Sequence, residues 1–484
     1  MIPTAADQFC SAASNDFDFP IIERKTATYD DLPEFKEQFL IKKHVYTQQY
    51  ASLYYIRLLK LRHYLLKACQ DKWDCIPEKP QYVQKTLDLQ PGQLSYMLGT
   101  IYIEMPKKPN VINDLEDEDT IINPETPAKY RSDDDIISLE DEHGRVKIHG
   151  SCLNREFLIT GLVVGILGKE ISTGAFEVLD ICLPGMAEQD PLPSIDNNEP
   201  DKFVALLSGL SIGADDQSDV KTQLLAEFLG GELGSGEDEI SSSCITRVIL
   251  AGNSVMKPKK EKDMKKAPKR YGYDFSTFDA TPMLQFDELL EDLCTSIDVD
   301  IMAGPTDPAP SHFPQQPMLA SLFRNARKLS SFHTVTNPYW CKIDDVSFLG
   351  TSGQNLNDIY RYVNSEDRVK MAESCMFWRH IAPSAPDTLW AYPFIDRDPF
   401  ILEKTPHVYF IGNQPQFEDS LLYGPNGQKV RIVLVPSFEK TGILVLLNLR
   451  TLECTAIQID ENGIKSIQSH SHIEEDVDEM DESL

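Results

Sequence analysis

Positive charge is what this sequence has least of. Its 484 residues carry 46 Lys and Arg against 76 Asp and Glu, a formal net charge of −30. Holding a nucleic-acid backbone takes Lys and Arg in number to displace counterions from phosphates, so the main grip on DNA or RNA is not expected here. Paired cysteines are absent too. Cys10, Cys69, Cys75, Cys152, Cys182, Cys244, Cys294, Cys341, Cys375 and Cys454 never fall at Cys-x-x-Cys spacing, which argues against a zinc or iron–sulfur centre. No secretory leader pattern precedes them, so they are expected to stay thiols, most of them small buried hydrophobes, without a disulfide framework. Long apolar runs are missing as well. Stretches such as Leu162–Leu167 and Ile443–Leu447 fall far short of the roughly 18 residues of a membrane span, so neither secretion nor membrane insertion is expected.

What remains is globular material, 41% hydrophobic, in a length that allows about two to four domains. Residues 1–42 mix Ser, Asp, Pro and Phe without a period and read as an arm. In 43–90, Tyr46, Tyr50, Leu53, Leu58, Leu61, Leu65 and Cys69 recur at helical steps, with Arg57, Lys60, Arg62 and Lys67 between them. The pattern predicts an amphipathic helix from His44 to Trp73 that packs on the neighbouring domain. Within 91–190, the runs Ser95–Glu104, Ile136–Glu140, Arg145–Gly150, Phe157–Leu167 and Phe176–Cys182 predict a five-stranded Greek-key barrel with an acidic insert at 106–135. Pro184, Pro191, Pro193 and Pro200 among acids mark a connector.

Residues 196–460 alternate apolar runs with helical stretches at Val220–Leu229, Pro282–Ile297, Met318–Leu329 and Arg368–Ile381, the pattern of layered α/β structure. Later runs, Val346–Gly350, Val430–Pro436, Ile443–Asn448 and Thr455–Ile459, predict a second sheet. A basic insert at 257–270 holds eight Lys or Arg against Glu261 and Asp263. It reads as a solvated loop, with a nuclear-import signal or an accessory contact with DNA as the alternatives. The tail, 461–484, is acidic and aperiodic, as disordered segments are.

The most telling absence lies after four apolar runs that read as buried strands: Phe203–Leu207, Arg247–Ala251, Val299–Ala303 and Val408–Ile411. The turns that follow are Ser208-Gly209-Leu210, Gly252-Asn253, Gly304-Pro305-Thr306 and Gly412-Asn413-Gln414-Pro415. Open α/β sheets bind ligands beyond such strand ends. Their order and spacing resemble the calcineurin-like metallophosphoesterases, whose active members carry Asp-x-His, Gly-Asp, Gly-Asn-His and Gly-His-x-His there to hold two metal ions. Carboxylates and imidazoles bring such ions charge and lone pairs; hydroxyl, leucine, carboxamide and threonine do not replace them. Asn253 stands where the bridging aspartate would be and could supply one weak neutral ligand. Asp307 is the surviving acid and reads as a turn cap ahead of Pro308. His312, His333, His380 and His407 lie outside the motif frames, with His407 ahead of its strand and so at the far end. His470 and His472 sit in the acidic tail and are not expected to hold a metal.

From about Tyr46 to Asp460 the chain resembles the B-subunit family of DNA polymerases, derived from that phosphoesterase fold. Besides the turns, the carriers are Arg247–Asn253, Pro314–Pro317, Val335–Tyr339, Phe348–Asn355, Ala385–Leu389 and Pro406–Asn413, in the family's order. The resemblance implies an α/β and β architecture: an N-terminal helix plus an OB-fold barrel, then an inactivated calcineurin-like phosphoesterase domain built as a two-sheet α/β sandwich. It implies no catalytic, cofactor-binding or metal residues, and a scaffold role within DNA polymerase delta. The implied partners are the delta catalytic subunit, through its cysteine-rich C-terminal domain, the third delta subunit, and the polymerase zeta catalytic subunit as a further candidate. DNA would be met mainly through these partners, in the nucleus. Two alternatives stay open: an active metal-dependent nuclease or phosphoesterase, and a single-strand binder using the barrel, where Tyr96, Tyr102, Phe157 and Phe176 are the few aromatics.

Overall fold

A computed structural model describes residues 23–47, 49–108, 127–154, 157–171, 174–193, 200–213, 216–233, 242–256, 280–460 and 463–467. The basic insert 257–270, most of the acidic insert, Cys10, His470 and His472 lie outside the described residues.

The arm contributes a two-residue strand, β1 (Tyr29–Asp30), and a short helix, α1 (Pro33–Phe39), whose Phe35 and Phe39 are buried. A long helix, α2 (Ala51–Trp73), follows. Then β2 (Gln81–Tyr82), β3 (Leu94–Glu104), β4 (Ile136–Glu140), β5 (Arg145–His149), β6 (Val163–Glu170) and β7 (Phe176–Cys182) form a sheet in the order β2-β3-β4-β5-β7-β6. The sheet closes because β3 is long enough to pair with β4 through Thr100–Glu104 and with β6 through Leu94–Thr100. Closure removes the edges that an open sheet would expose. Leu58, Leu61, Leu65 and Trp73 of α2 cover one outer face of the barrel, against Tyr96, Leu98, Val163 and Leu167.

The rest is a sandwich of two sheets. In chain order its elements are β8 (Phe203–Leu207), α3 (Asp216–Gly230), β9 (Ile245–Ala251), α4 (Thr281–Ser296), β10 (Asp298–Met302), β11 (Phe332–Val335), β12 (Tyr339–Ile343), β13 (Val346–Thr351), α5 (Gln354–Tyr362) and α6 (Arg368–Trp378). They continue with β14 (Val408–Gln414), β15 (Glu418–Tyr423), β16 (Lys429–Pro436), β17 (Ile443–Asn448), β18 (Cys454–Asp460) and β19 (Gly463–Ile467). One sheet runs β11-β10-β9-β8-β17-β18-β19, the other β1-β12-β13-β14-β16-β15. Period-2 alternation divides β8 between two cores. Val204 and Leu206 face the second sheet, while Ala205 and Leu207 face the helices on the outside. The second sheet's outer face shares one core with α5, α6 and the barrel interior, which joins barrel and sandwich through buried apolar contacts. Among the described residues no helix is long and apolar enough to cross a membrane.

Several expectations need correction. The helix α2 starts at Ala51 rather than His44, because the Tyr392 hydroxyl accepts from Val45 N at 3.0 Å and donates to the Lys43 carbonyl at 2.8 Å, holding this stretch in a non-helical path. Arg57 is not on the solvent face of that helix but fully buried. The strand expected from Phe157 begins at Val163, since Gly161 adopts a left-handed φ of 90°, which breaks a strand at little cost only for glycine. Met318–Leu329 is not a helix but two 3-10 turns, Ala320–Leu322 and Ala326–Lys328. The buried Asp287 carboxylate takes the N–H groups of Arg324, Asn325 and Ala326 that a continuous helix would have used internally. The Ile443–Asn448 and Thr455–Ile459 runs extend the first sheet beside β8, whereas Val408–Ile411 lies in the second.

Candidate metal centre

Three of the four turns leave the C-terminal ends of β8, β9 and β10, and the fourth closes β14 on the facing sheet. They meet at one end of the sandwich, with the Ser352-Gly353 turn between β13 and α5 beside them. Gly412 shows how tightly they meet: a Cβ there would lie 2.6 Å from the Ala251 carbonyl oxygen and 2.9 Å from the Ala251 Cβ. Asn253 and Asn413 both take left-handed conformations, with φ of 55° and 57°, which asparagine tolerates better than most residues.

The side chains at these turns bond to one another and to the strand ends. The Ser208 hydroxyl donates to the Val435 or Pro436 carbonyl, at 3.1 and 3.0 Å, and accepts from Asn413 N at 2.8 Å. Asn413 Nδ2 in turn reaches the carbonyls of Ala251 and Ser352, stitching the two sheets together. Asn253 Oδ1 accepts from Thr306 N at 3.2 Å and from the Thr306 hydroxyl at 3.1 Å. Asn337 Nδ2 lies within bonding distance of the Ala303 carbonyl, Gln315 Oε1 and Gln354 Oε1, while its Oδ1 accepts from Ser352 N.

Among the described residues Asp307 is the single acid at these turns, and it is buried. Its Oδ1 accepts from Val255 N at 2.9 Å and its Oδ2 from Gly304 N at 2.7 Å, so both oxygens hold backbone. Burial pushes the carboxyl up to about 6, while these N–H groups pull the other way by favouring the carboxylate. Among the described residues no group of three or more His, Cys, Asp or Glu is placed to hold a metal ion. A cluster of neutral amides and hydroxyls already bonded to backbone, with one carboxylate spent on two N–H groups, does not fit a pair of divalent cations.

Comparison with known proteins bears on the whole chain. The family model for the B-subunit of DNA polymerase alpha/epsilon matches residues 204–419, and that for the DNA polymerase delta subunit OB-fold domain matches residues 49–181. A DNA polymerase delta small subunit of Oryza sativa subsp. japonica is 40% identical over 438 residues, which is 90% of this chain and 98% of the relative. Its counterpart in Saccharomyces cerevisiae is 37% identical, covering 87% of this chain and 92% of the relative. The chain belongs to the DNA polymerase delta small subunit family. A solved NAD nucleotidase of Haemophilus influenzae covers 56% of this chain and 49% of its own at 9% identity, with a TM-score of 0.21 that carries no argument.

Within this family member, the segment matched by the alpha/epsilon model contains all four turns, and the OB-fold segment contains α2 and the barrel. The histidines lie elsewhere. His407 sits ahead of β14, accepting from Ser347 N at Nδ1 and donating from Nε2 to the Asp190 carbonyl at 2.8 Å. His380 is buried beside Asp398, and His333 is half-buried near Asp298. The roles of Asn337, Gln315 and Gln354 escaped sequence reasoning, for which their segments carried resemblance alone. Their signal was present: carboxamides recurring in segments otherwise made of apolar and turn residues.

Proposed function

We propose that this chain is a non-catalytic scaffold of DNA polymerase delta, in the nucleus, on a calcineurin-like phosphoesterase framework whose metal chemistry has been replaced by hydrogen bonding. The observation that carries the reading is the turn cluster: Ser208, Asn253, Asn337 and Asn413 occupy the strand ends as bonded neutral groups, and Asp307 caps backbone. Family membership supports the polymerase assignment. The continuous core from barrel to sandwich supports the scaffold role, since surfaces on both modules would be held at fixed separation. On this reading the chain joins the catalytic subunit's C-terminal domain to the third subunit, with the polymerase zeta catalytic subunit as a further candidate partner.

Two measurements test it. The purified full chain should bind the delta catalytic subunit and the third subunit at once, and failure to bridge them would remove the scaffold reading. With Mn²⁺ it should hydrolyse neither an aryl phosphate nor single-stranded DNA. Turnover that Asp307→Ala abolishes would establish the enzyme alternative instead.

A further inference from the structure

An exposed apolar corner remains where the arm meets the loop after Leu389. Trp390, Tyr46, Ile395, Tyr50 and Val45 are 71%, 60%, 55%, 43% and 38% exposed, and three of them, Tyr46, Tyr50 and Val45, meet the buried Ala391-Tyr392 segment. Tyr50 reaches the Ala391 carbonyl at 3.0 Å, Val45 N donates to the Tyr392 hydroxyl, and Tyr46 lies edge-on to the Tyr392 ring at 5.6 Å. Beside them opens a groove of about 420 Å³, floored by Ile41, Tyr392 and Phe394. Single exposed apolar residues are ordinary on protein surfaces, but a contiguous group beside a concave apolar floor marks an interaction site.

The lip of the groove gives the sign of the partner. Lys42, Lys43 and Arg397 line it against Glu37 and Asp396. Lys42 and Arg397 are matched by those two acids, at 3.1 and 3.0 Å, and among the described residues Lys43 has no carboxylate partner. The lip is therefore locally positive on a chain whose net charge is −30. Its aromatic anchors and free ammonium group complement a segment that presents large aliphatic or aromatic side chains flanked by carboxylates.

We infer that the groove between residues 41–46 and 390–397 docks an acidic amphipathic segment of another subunit of the assembled polymerase. The inference rests on the scaffold reading and deepens it by placing one contact. Trp390 and Tyr46 insert as anchors, and Lys43 faces the partner's carboxylates.

The test compares the free full chain with the assembled polymerase by amide hydrogen exchange. Protection at 41–46 and 390–397 on assembly is expected; assembly without protection there overturns the inference while leaving the scaffold reading intact, and failure to assemble overturns the scaffold reading itself. Trp390→Ser with Tyr46→Ser should weaken assembly about tenfold or more, and Trp390→Ser alone should weaken it with unchanged thermal unfolding of the free chain, because that side chain is largely exposed whereas Tyr46 also packs on Tyr392. Lys43→Glu should weaken it several-fold at low salt and less at high salt; tighter binding would exclude an acidic partner. Self-association of the free chain, or binding of a single-stranded oligonucleotide, that the double variant abolishes would assign the corner to those occupants and overturn the inference.

Discussion

Arg57 and Asp398 meet at 2.7 Å with both side chains shut away from solvent. The guanidinium also lies within bonding distance of the carbonyls of Gly161, Pro383 and Ala385, and His380 donates to the same carboxylate at 3.0 Å. One side chain of α2 thus ties the helix to the barrel through Gly161 and to the sandwich through the other three groups. Burying two charges is costly in itself, and removing one partner leaves the other uncompensated.

Arg57→Met should therefore destabilise the chain by about 3–5 kcal/mol, read from urea unfolding at neutral pH. Pairing it with Asp398→Leu should recover much of that loss. If the double variant is no better than the single, the carbonyl bonds rather than the ion pair dominate.

Acid should act on this hub in two steps. Burial and Arg57 lower His380 from its usual value to about 4, so the folded state keeps it neutral; the stability it gives is complete above about pH 6.5 and is lost as pH falls towards 4. Arg57 and His380 hold the Asp398 carboxyl below the usual carboxylate range despite its burial, and that contribution is complete above about pH 4 and is lost progressively as pH falls further. Asp307, raised to about 6, works in the opposite sense: the folded state binds the proton first, so its stability rises as pH falls from 6 towards 4. The His380 and Asp307 effects are each on the order of 3 kcal/mol when complete, and they oppose each other in the wild type. His380→Gln should gain stability relative to wild type between pH 6.5 and 4. A constant difference across that range would refute the assignment.

Asp287→Ala removes the acceptor for three backbone N–H groups at Arg324, Asn325 and Ala326. An expected loss of about 1–3 kcal/mol should come with faster amide exchange at those three positions, whereas protection there unchanged from wild type would contradict the capping role.

Gly412→Ala places a methyl group against the Ala251 backbone, which has no flexible end to move aside. A cost of about 1–3 kcal/mol is expected, seen as a lower thermal midpoint, and a midpoint equal to wild type would show that the two sheet ends can separate freely.

Where the sequence was legible, its signal was local. The β7 run Phe176–Cys182 and the apolar runs of β8, β9 and β10 were read nearly to the residue, because short segments rich in Val, Ile and Leu between turn residues have few other uses. The strand-end turns were legible for the same reason. Long-range partners were not. Nothing near Arg57 shows that a carboxylate 341 residues away will meet it, so a cation at helical spacing reads as solvated. Met318–Leu329 has helical composition, and the deciding Asp287 lies 37 residues before Arg324. Likewise Asn337, Gln315 and Gln354 become one network only when three separate segments converge.

The arm carries a consequence for how this molecule is made. Tyr29 pairs with Ile343 along β12, and Thr28 N bonds Asp344 across 316 residues of chain. Arg24 likewise reaches the carbonyls of Leu229, Ser242 and Ile245. The first described strand to leave the ribosome must wait for much of the sandwich before it has a neighbour. Until it docks, β12 presents a row of unpaired backbone groups that any foreign strand could use as a template. Two residues of arm are thus the guard rail on that edge, fitted only long after they are made.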